Sequence, residues 1–492
     1  MEEALLGSKE STKETKTKEE PLSLNAAIKQ ILPAAATGYL FSIFEKVGNS
    51  CNLYFMSKEN DPLIVAAIGF GNTWMMMFSL GLSFSFSSGL ATLVAQSYGA
   101  KKLKLCAYTL HKGFVIAMLV FVLFLLTLLF FPPVLRILKY DPSLISTTLG
   151  YTMAMIPAQF GGAIFILLRM YAAGFQVFNL PVYIQMVFSV LEMIISYVLV
   201  YQMELGFVGL GCSRGFSEIG RTIVLYYYMK KDETFQDTLC WFEEGSFEGM
   251  KEQMKYQFYT GMITYIDLLT YLIGEMFIAS MDLVELDASF CFISTLLIFL
   301  HIPMSVAGPA SSFIGNSVGK QDYEKVKTYI LASKYMVFGA AIVLSALIFI
   351  FSEPLSMVFL KDPVINAKIQ ALFIMYSLFM VFDCGQMFLP AVTRALGEEN
   401  SSFKIMIVTD LIIGLAFQFF GGIVFKGGAL GTWIGMQMAF SLNFVLQYRL
   451  LSQIDIKEAI ARVQANLKEK EEKGKVPNQG ESAIELKDVS SM

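Results

Sequence analysis

Apolar runs long enough to cross a bilayer recur along almost the whole chain, and this constrains the fold more than any other feature. Inside hydrocarbon every backbone N–H and C=O must bond within the segment itself or within a closed barrel. Runs of roughly 20 residues without period-2 alternation select the helix. Twelve spans are predicted, at about 27–49, 63–96, 110–131, 149–170, 181–201, 208–229, 256–279, 288–314, 329–351, 367–392, 405–425 and 431–451. The second and eighth are long for a bilayer and should tilt or project beyond it. The chain is 55% hydrophobic and only 16% charged, against about 25% charge in ordinary soluble domains. The expected fold is an all-α polytopic membrane protein, and its obligatory partner is the lipid bilayer.

The remaining residues exclude several classes. The net charge is −4 and no basic stretch has interleaved aromatics, so no nucleic-acid partner is expected. Six cysteines (Cys51, Cys106, Cys212, Cys240, Cys291, Cys384) lie scattered without a CxxC, and His111 and His301 stand far apart. Neither a metal site nor a cofactor is expected. With no HExxH and no His-rich set, a membrane-embedded enzyme is poorly supported. Residues 1–24 mix Lys and Glu with Ser and Thr, lack an apolar leader core and are expected to form a disordered cytosolic tail. Lysines gather after spans two (Lys101, Lys102, Lys104, Lys112), six (Lys230, Lys231, Lys251, Lys255) and eight (Lys320, Lys325, Lys327, Lys334). The opposite loops are poorer, with Lys58, Arg136, Lys139, Lys361, Lys368 and Lys426. The positive-inside rule therefore puts both termini in the cytosol; plasma membrane and organelle membrane both remain open.

The chain repeats itself. Gln96-Ser-Tyr-Gly99 is echoed by Asn316-Ser-Val-Gly319, 220 positions on; Tyr171-Ala-Ala-Gly174 by Arg394-Ala-Leu-Gly397, 223 on; and Gly206-Phe-Val-Gly209 by Gly428-Ala-Leu-Gly431, 222 on. Each unit holds six spans, an even number, so the repeats run parallel about an axis along the membrane normal. This gives an N-lobe over 25–230, a polar cytosolic linker over 231–255, a C-lobe over 256–452 and a cytosolic tail over 453–492. Two lobes facing each other across a central cleft suit alternating access within one chain, and a monomer is expected. Gly99 and Gly319 are predicted to be C-cap glycines at the ends of long helices. The mixed charges of IKEAIARVQANLKEKEEK, after Asp455, predict a solvated helix.

Against this apolar background a few charges are conspicuous. Asp267 falls in the middle of span seven and Asp383 in span ten. An ionised carboxylate at that depth costs roughly 2.5 to 3.5 kcal/mol on insertion scales and marks a cavity, a partner or an ion path. A carboxylate that binds either a proton or a cationic solute, but not both well, is antiport in its simplest form. Glu45 and Glu192 also lie at membrane depth and stand open between an N-lobe proton site and a structural contact. Glu275 is a weaker cavity candidate, and Arg214, Glu218 and Arg221 have the spacing of an intrahelical ion ladder. Tyr39, Trp74, Tyr265, Tyr271 and Phe388 are candidates for lining the cleft and holding organic cations through their ring faces.

Several segments resemble the multidrug and toxic compound extrusion (MATE) transporters, in particular the eukaryotic branch. They are Gly89-Leu-Ala-Thr-Leu-Val-Ala-Gln-Ser-Tyr-Gly-Ala-Lys-Lys102, Ile314-Gly-Asn-Ser-Val-Gly-Lys320, Gly428-Ala-Leu-Gly-Thr-Trp-Ile-Gly435 and Val284-Glu285-Leu286. The resemblance covers about residues 25 to 452. It implies a secondary antiporter that exports small organic solutes, often cations, in exchange for H+, with Na+ as the alternative coupling ion. It places the family's seventh- and tenth-helix acids on Asp267 and Asp383, and Asp383-Cys-Gly-Gln386 adds Gln386. This chain departs from the family at Tyr259, which replaces a proline, at Leu272, which replaces a second glutamate, and at Glu192, which replaces a common asparagine. A lipid or lipid-linked-sugar flippase of the same superfamily is the rival reading, as is a receptor-like protein that has lost transport.

Overall fold

The computed structural model describes residues 22–57, 62–137, 139–243, 245–358 and 362–473. Residues 1–21 and 474–492, expected above to belong to solvated tails, lie outside the described residues. The described residues form helices joined by turns, without a strand. We number the long helices α1 (Leu24–Ser57), α2 (Pro62–Met75, a wide π turn over Met76–Leu80, and Gly81–Gly99), α3 (Leu103–Ile137), α4 (Pro142–Ala154 and Ile156–Gly174), α5 (Asn179–Tyr197 with Val198–Gln202) and α6 (Gly206–Lys231). They continue as α7 (Met250–Ala279), α8 (Leu283–Gly319), α9 (Tyr323–Ile350), α10 (Pro363–Ala395), α11 (Glu399–Val424), α12 (Gly428–Gln453) and α13 (Ile456–Lys473).

Of these, eleven are long and apolar enough to cross a membrane. Arg214, Glu218 and Arg221 keep α6 out of that set, although its 26 residues span about 39 Å at 1.5 Å per residue. The protein is an integral, multi-pass membrane protein of twelve helices in two six-helix lobes. Local chemistry sets the helix ends. Asp141, Asp322 and Asp362 cap α4, α9 and α10 by accepting backbone N–H groups, and prolines follow directly at 142 and 363. Pro157 breaks α4 at Met155, because its ring removes an N–H and crowds the preceding turn.

Each lobe has its own apolar core. Phe165, Tyr171, Phe175 and Phe235 centre the N-lobe; Phe292, Phe373, Tyr376, Trp433 and Phe440 centre the C-lobe. The first part of α1 crosses over, with Ala27, Ile31, Ala34 and Ala35 buried in the C-lobe core.

The lobes meet toward the end of the bundle that carries Leu24 and Gln453, here the terminal end. Near mid-bundle, the Tyr39 hydroxyl donates to the Ile298 carbonyl at 3.4 Å and Tyr265 to the Met77 carbonyl at 3.0 Å. Further down, Thr92 and Ser311 share a hydrogen bond at 2.8 Å, Gln96 donates to the Ala395 carbonyl at 3.1 Å, and Arg394 donates to Ser88 at 3.4 Å. The other half of α2, Pro62–Met75, packs on α1 and α4 of its own lobe. The cleft is therefore closed at the terminal end.

Glycine makes that closure possible, and here the C-cap expectation is corrected. A Cβ on Gly99 would lie 2.1 Å from the Asn316 carbonyl oxygen, and one on Gly319 would lie 2.1 Å from that of Gln96. These glycines bring two helix ends together across the pseudo-twofold axis. The left-handed residues that turn the chain come two positions later, at Lys101 (φ 59) and Gln321 (φ 61).

Two further segments brace the terminal end. The linker lies on α3: His111 bonds Ser246 and the Cys240 carbonyl at 3.1 Å each, Lys112 donates to the Glu248 carbonyl at 2.9 Å, and Gln253 donates to the Thr109 carbonyl at 2.9 Å. Helix α13 is not simply solvated, contrary to its charge pattern. Ala459, Ile460, Val463 and Leu467 are buried against the C-lobe, and Gln464 donates to the last carbonyls of α8, Val318 (3.0 Å) and Gly319 (2.8 Å). Arg462 pairs with Glu398 at 2.6 Å, and Glu471 reaches across to Lys102 of the N-lobe at 2.8 Å.

Candidate functional site

Inside the C-lobe, α7 and α10 bring Asp267 and Asp383 to one amide. Gln386 Nε2 donates to Asp267 Oδ1 at 3.1 Å and to Asp383 Oδ1 at 3.2 Å. Gln386 stands one turn after Asp383, so helical spacing alone puts the two on one face. Asp383 is fully buried, and its other oxygen accepts from Tyr376 at 2.6 Å and Tyr271 at 3.2 Å. No basic residue bonds either carboxylate among the described residues. Further carbonyl oxygens of buried amides, Gln386 Oε1, Gln418 Oε1 and Asn443 Oδ1, lie on the helices that carry or adjoin these acids, and Gln437 faces Asp383. A region so rich in acceptors is suited to positive charge, whether as protons on the carboxyls or as a cation.

A third acid belongs to this region and was missed in the sequence reading. Asp410 lies on α11, fully buried, and Asp267 and Asp383 are near enough to act on it electrostatically. The signal was the one used for Asp267: a carboxylate in the middle of an apolar run, here Val408-Thr-Asp-Leu-Ile-Ile413.

Glu192 and Glu45 are in the other lobe, and their setting differs. Arg214 lies in the field of Glu192, Glu218 and Glu45. Arg169 acts on Glu45 and holds its guanidinium 3.7 Å from the centre of the Phe41 ring. Arg221 pairs with Glu218, as the ladder spacing implied, but also donates to Gln185 of α5 and sits 4.2 Å over the Phe165 ring. Three glutamates here face three arginines, whereas among the described residues no base bonds Asp267, Asp383 or Asp410.

The aromatic candidates divide. Tyr271 touches Asp383 itself, while Tyr39 and Tyr265 sit on the seam between lobes. Trp74 does not line the cleft: its indole donates to Thr127 of α3 at 3.1 Å and its ring packs on Phe78 and Phe131. Phe388 is buried in the C-lobe core beside Phe338. Glu275 accepts from Ser289, which in turn accepts from Trp433, tying α7, α8 and α12 together. Glu285 accepts the Ala429 N–H at 2.8 Å and pairs with Lys368 at 2.6 Å, so it caps the start of α12 and binds α10. Two of the sequence motifs are thus in contact, because Gly428 (φ +61) has no room for a Cβ against the Glu285 carboxylate.

The MatE family model matches residues 33–198 and 247–420, one stretch in each lobe. The chain belongs to the MATE family. Its relatives include multidrug and toxin extrusion protein 1 of Xenopus tropicalis, 20% identical over 92% of this chain and 79% of that one, and the human protein of that name, 21% identical over 82% and 71%. Protein DETOXIFICATION 26 of Arabidopsis thaliana is 22% identical over 76% and 77%. Among solved structures, the eukaryotic MATE transporter AtDTX14 superposes with a TM-score of 0.84 at 17% identity, covering 90% of this chain and 99% of that one. The Vibrio cholerae MATE transporter VcmN, in its bent form, gives 0.75 at 14% identity, over 90% and 99%. These likenesses bear out the two-lobed MATE architecture read from the repeats.

Proposed function

We propose that this MATE chain is an efflux transporter that exchanges H+ for a small organic solute, most simply a cation, by alternating access. The observation that carries the reading is the Asp267–Gln386–Asp383 unit, two membrane carboxylates joined by one amide with no base bonded to either among the described residues. A proton and a cationic solute would compete for the same negative charge, so binding of one drives release of the other. The lysine-rich loops support reading the terminal end as cytosolic, and the closed arrangement then corresponds to a cleft facing away from the cytosol. A flippase would need basic groups free to take a phosphate; Arg169, Arg214 and Arg221 instead lie among Glu45, Glu192 and Glu218.

The test is ethidium transport in reconstituted vesicles under an imposed pH gradient. At zero membrane potential each exchanged proton should yield about tenfold accumulation per pH unit. Asp267→Asn should abolish gradient-dependent accumulation. Transport driven by a Na+ gradient and indifferent to pH would make Na+ the coupling ion, and full coupling in Asp267→Asn would rule out that residue.

A further inference from the structure

Asp410 is placed as a working acid and not only as a link between helices. It sits on the wide π-helical segment Ile407–Gly414 of α11 and has no exposed surface. Such turns inside a helix often mark functional sites. Among the described residues its carboxylate takes two hydrogen bonds, from Thr409 Oγ1 to Oδ1 at 2.8 Å and from Asn443 Nδ2 of α12 to Oδ2 at 2.6 Å. No lysine, arginine or histidine bonds it among the described residues.

The groups that face it can be named helix by helix. From α7 comes Asp267, with Thr270 bonding the Asp410 backbone carbonyl at 3.5 Å. From α10 comes Asp383. From α12 comes the neutral amide Asn443, whose own oxygen is buried and unbonded. From α11 itself comes Gln418, whose amide reaches the Thr270 carbonyl at 3.5 Å and whose oxygen is likewise unbonded. Three carboxyls share this region, Asp383 and Asp410 fully buried and Asp267 half-buried, and no base bonds them among the described residues. Like charges gathered there repel one another, and such acids titrate as a coupled set.

We propose that Asp410 is a third proton-binding member of the C-lobe carboxylate unit and carries a second proton through the transport cycle. This rests on the H+-coupled reading above and extends it to more than one proton per solute. In the closed state Asp410 holds its proton on a carboxyl oxygen. When the unit opens to the cytosol, that O–H bond breaks, the proton goes to water and the carboxylate remains to balance an incoming cation.

Two measurements on the full-length chain in lipid test this. The first is infrared difference spectroscopy of the carboxylic C=O stretch between mildly alkaline and mildly acidic pH, which needs no solute. Asp410→Asn, which preserves the shape, should lose one titrating component while the others remain. Asn443→Leu, which removes a donor but keeps the acid, should shift that component without deleting it. An Asp410→Asn difference spectrum identical to wild type overturns the proposal. The second is ethidium accumulation at fixed pH gradient and zero membrane potential, which should fall about tenfold per pH unit in Asp410→Asn, one proton's worth. Accumulation equal to wild type also overturns it. A wild type that ignores the pH gradient while the Asp410 component titrates defeats the coupling reading and leaves the proton site standing.

Discussion

Three acids of one type have different anchors in the C-lobe, and their neighbours decide what substitution should do. Asp383 receives hydrogen bonds from Tyr376, Tyr271 and Gln386, and Asp267 receives one, from the same Gln386 amide. Hydrogen bonds to charged groups are worth roughly 1.5 to 3 kcal/mol each. Gln386→Leu should therefore weaken coupled ethidium transport at least about tenfold while the protein still elutes as a folded species on size exclusion. Trp74 gives the contrasting case. Trp74→Phe removes one hydrogen bond, to Thr127, and should cost about 1 kcal/mol of thermal stability with transport unchanged. Lost transport at unchanged stability would put Trp74 back in the cleft.

At the scale of elements, the seam between α2 and α8 turns on atoms that are absent. Gly99→Val and Gly319→Val each place a side chain 2.1 Å from a facing carbonyl oxygen at its first carbon. Either should stop the terminal end from closing. The readout is an oxidant-induced cross-link between Thr92→Cys and Ser311→Cys, whose native hydroxyls are 2.8 Å apart. That cross-link should form in the parent and fail with either valine. Helix α13 offers a milder test. Gln464 donates to both Val318 and Gly319; Val318 also accepts the Gln321 N–H at 3.1 Å, so Gln464→Ala should leave the Gly319 carbonyl without that donor, at roughly 1 to 3 kcal/mol. Faster hydrogen exchange in α13, with the spans unaffected, is the expected result.

Across the whole molecule, the lobes carry opposite electrostatic designs on one repeated frame. The N-lobe balances Glu45, Glu192 and Glu218 with Arg169, Arg214 and Arg221. Among the described residues no base bonds Asp267, Asp383 or Asp410 of the C-lobe. Breaking a buried pair from one side strands a charge, at about 3 to 5 kcal/mol. Arg221→Leu should thus lower the melting temperature more than Asp410→Asn, which retains a hydrogen-bonding shape. The reverse order would mean that the N-lobe charges are better solvated than their burial implies.

The spans, the pairing of two six-helix units, and the depth of Asp267 and Asp383 were all legible from residue order. Each depends on bilayer thickness or a repeat, and those act along the chain. Gln386 was legible beside Asp383, but its reach to Asp267 was not, since 119 positions separate them. Trp74 turned away from the cleft because a hydroxyl on α3 offered its N–H a partner. Gly99 and Gly319 end their helices but leave the left-handed turn to Lys101 and Gln321, and their missing side chains serve the meeting of lobes. Helix α13 buries a narrow apolar stripe that its charge count obscured. Asp410 was readable as an acid in an apolar run. Its place beside Asp267 and Asp383 came only from the packing of α11 against α7 and α12, because which faces of separate helices meet is a property of the tertiary structure.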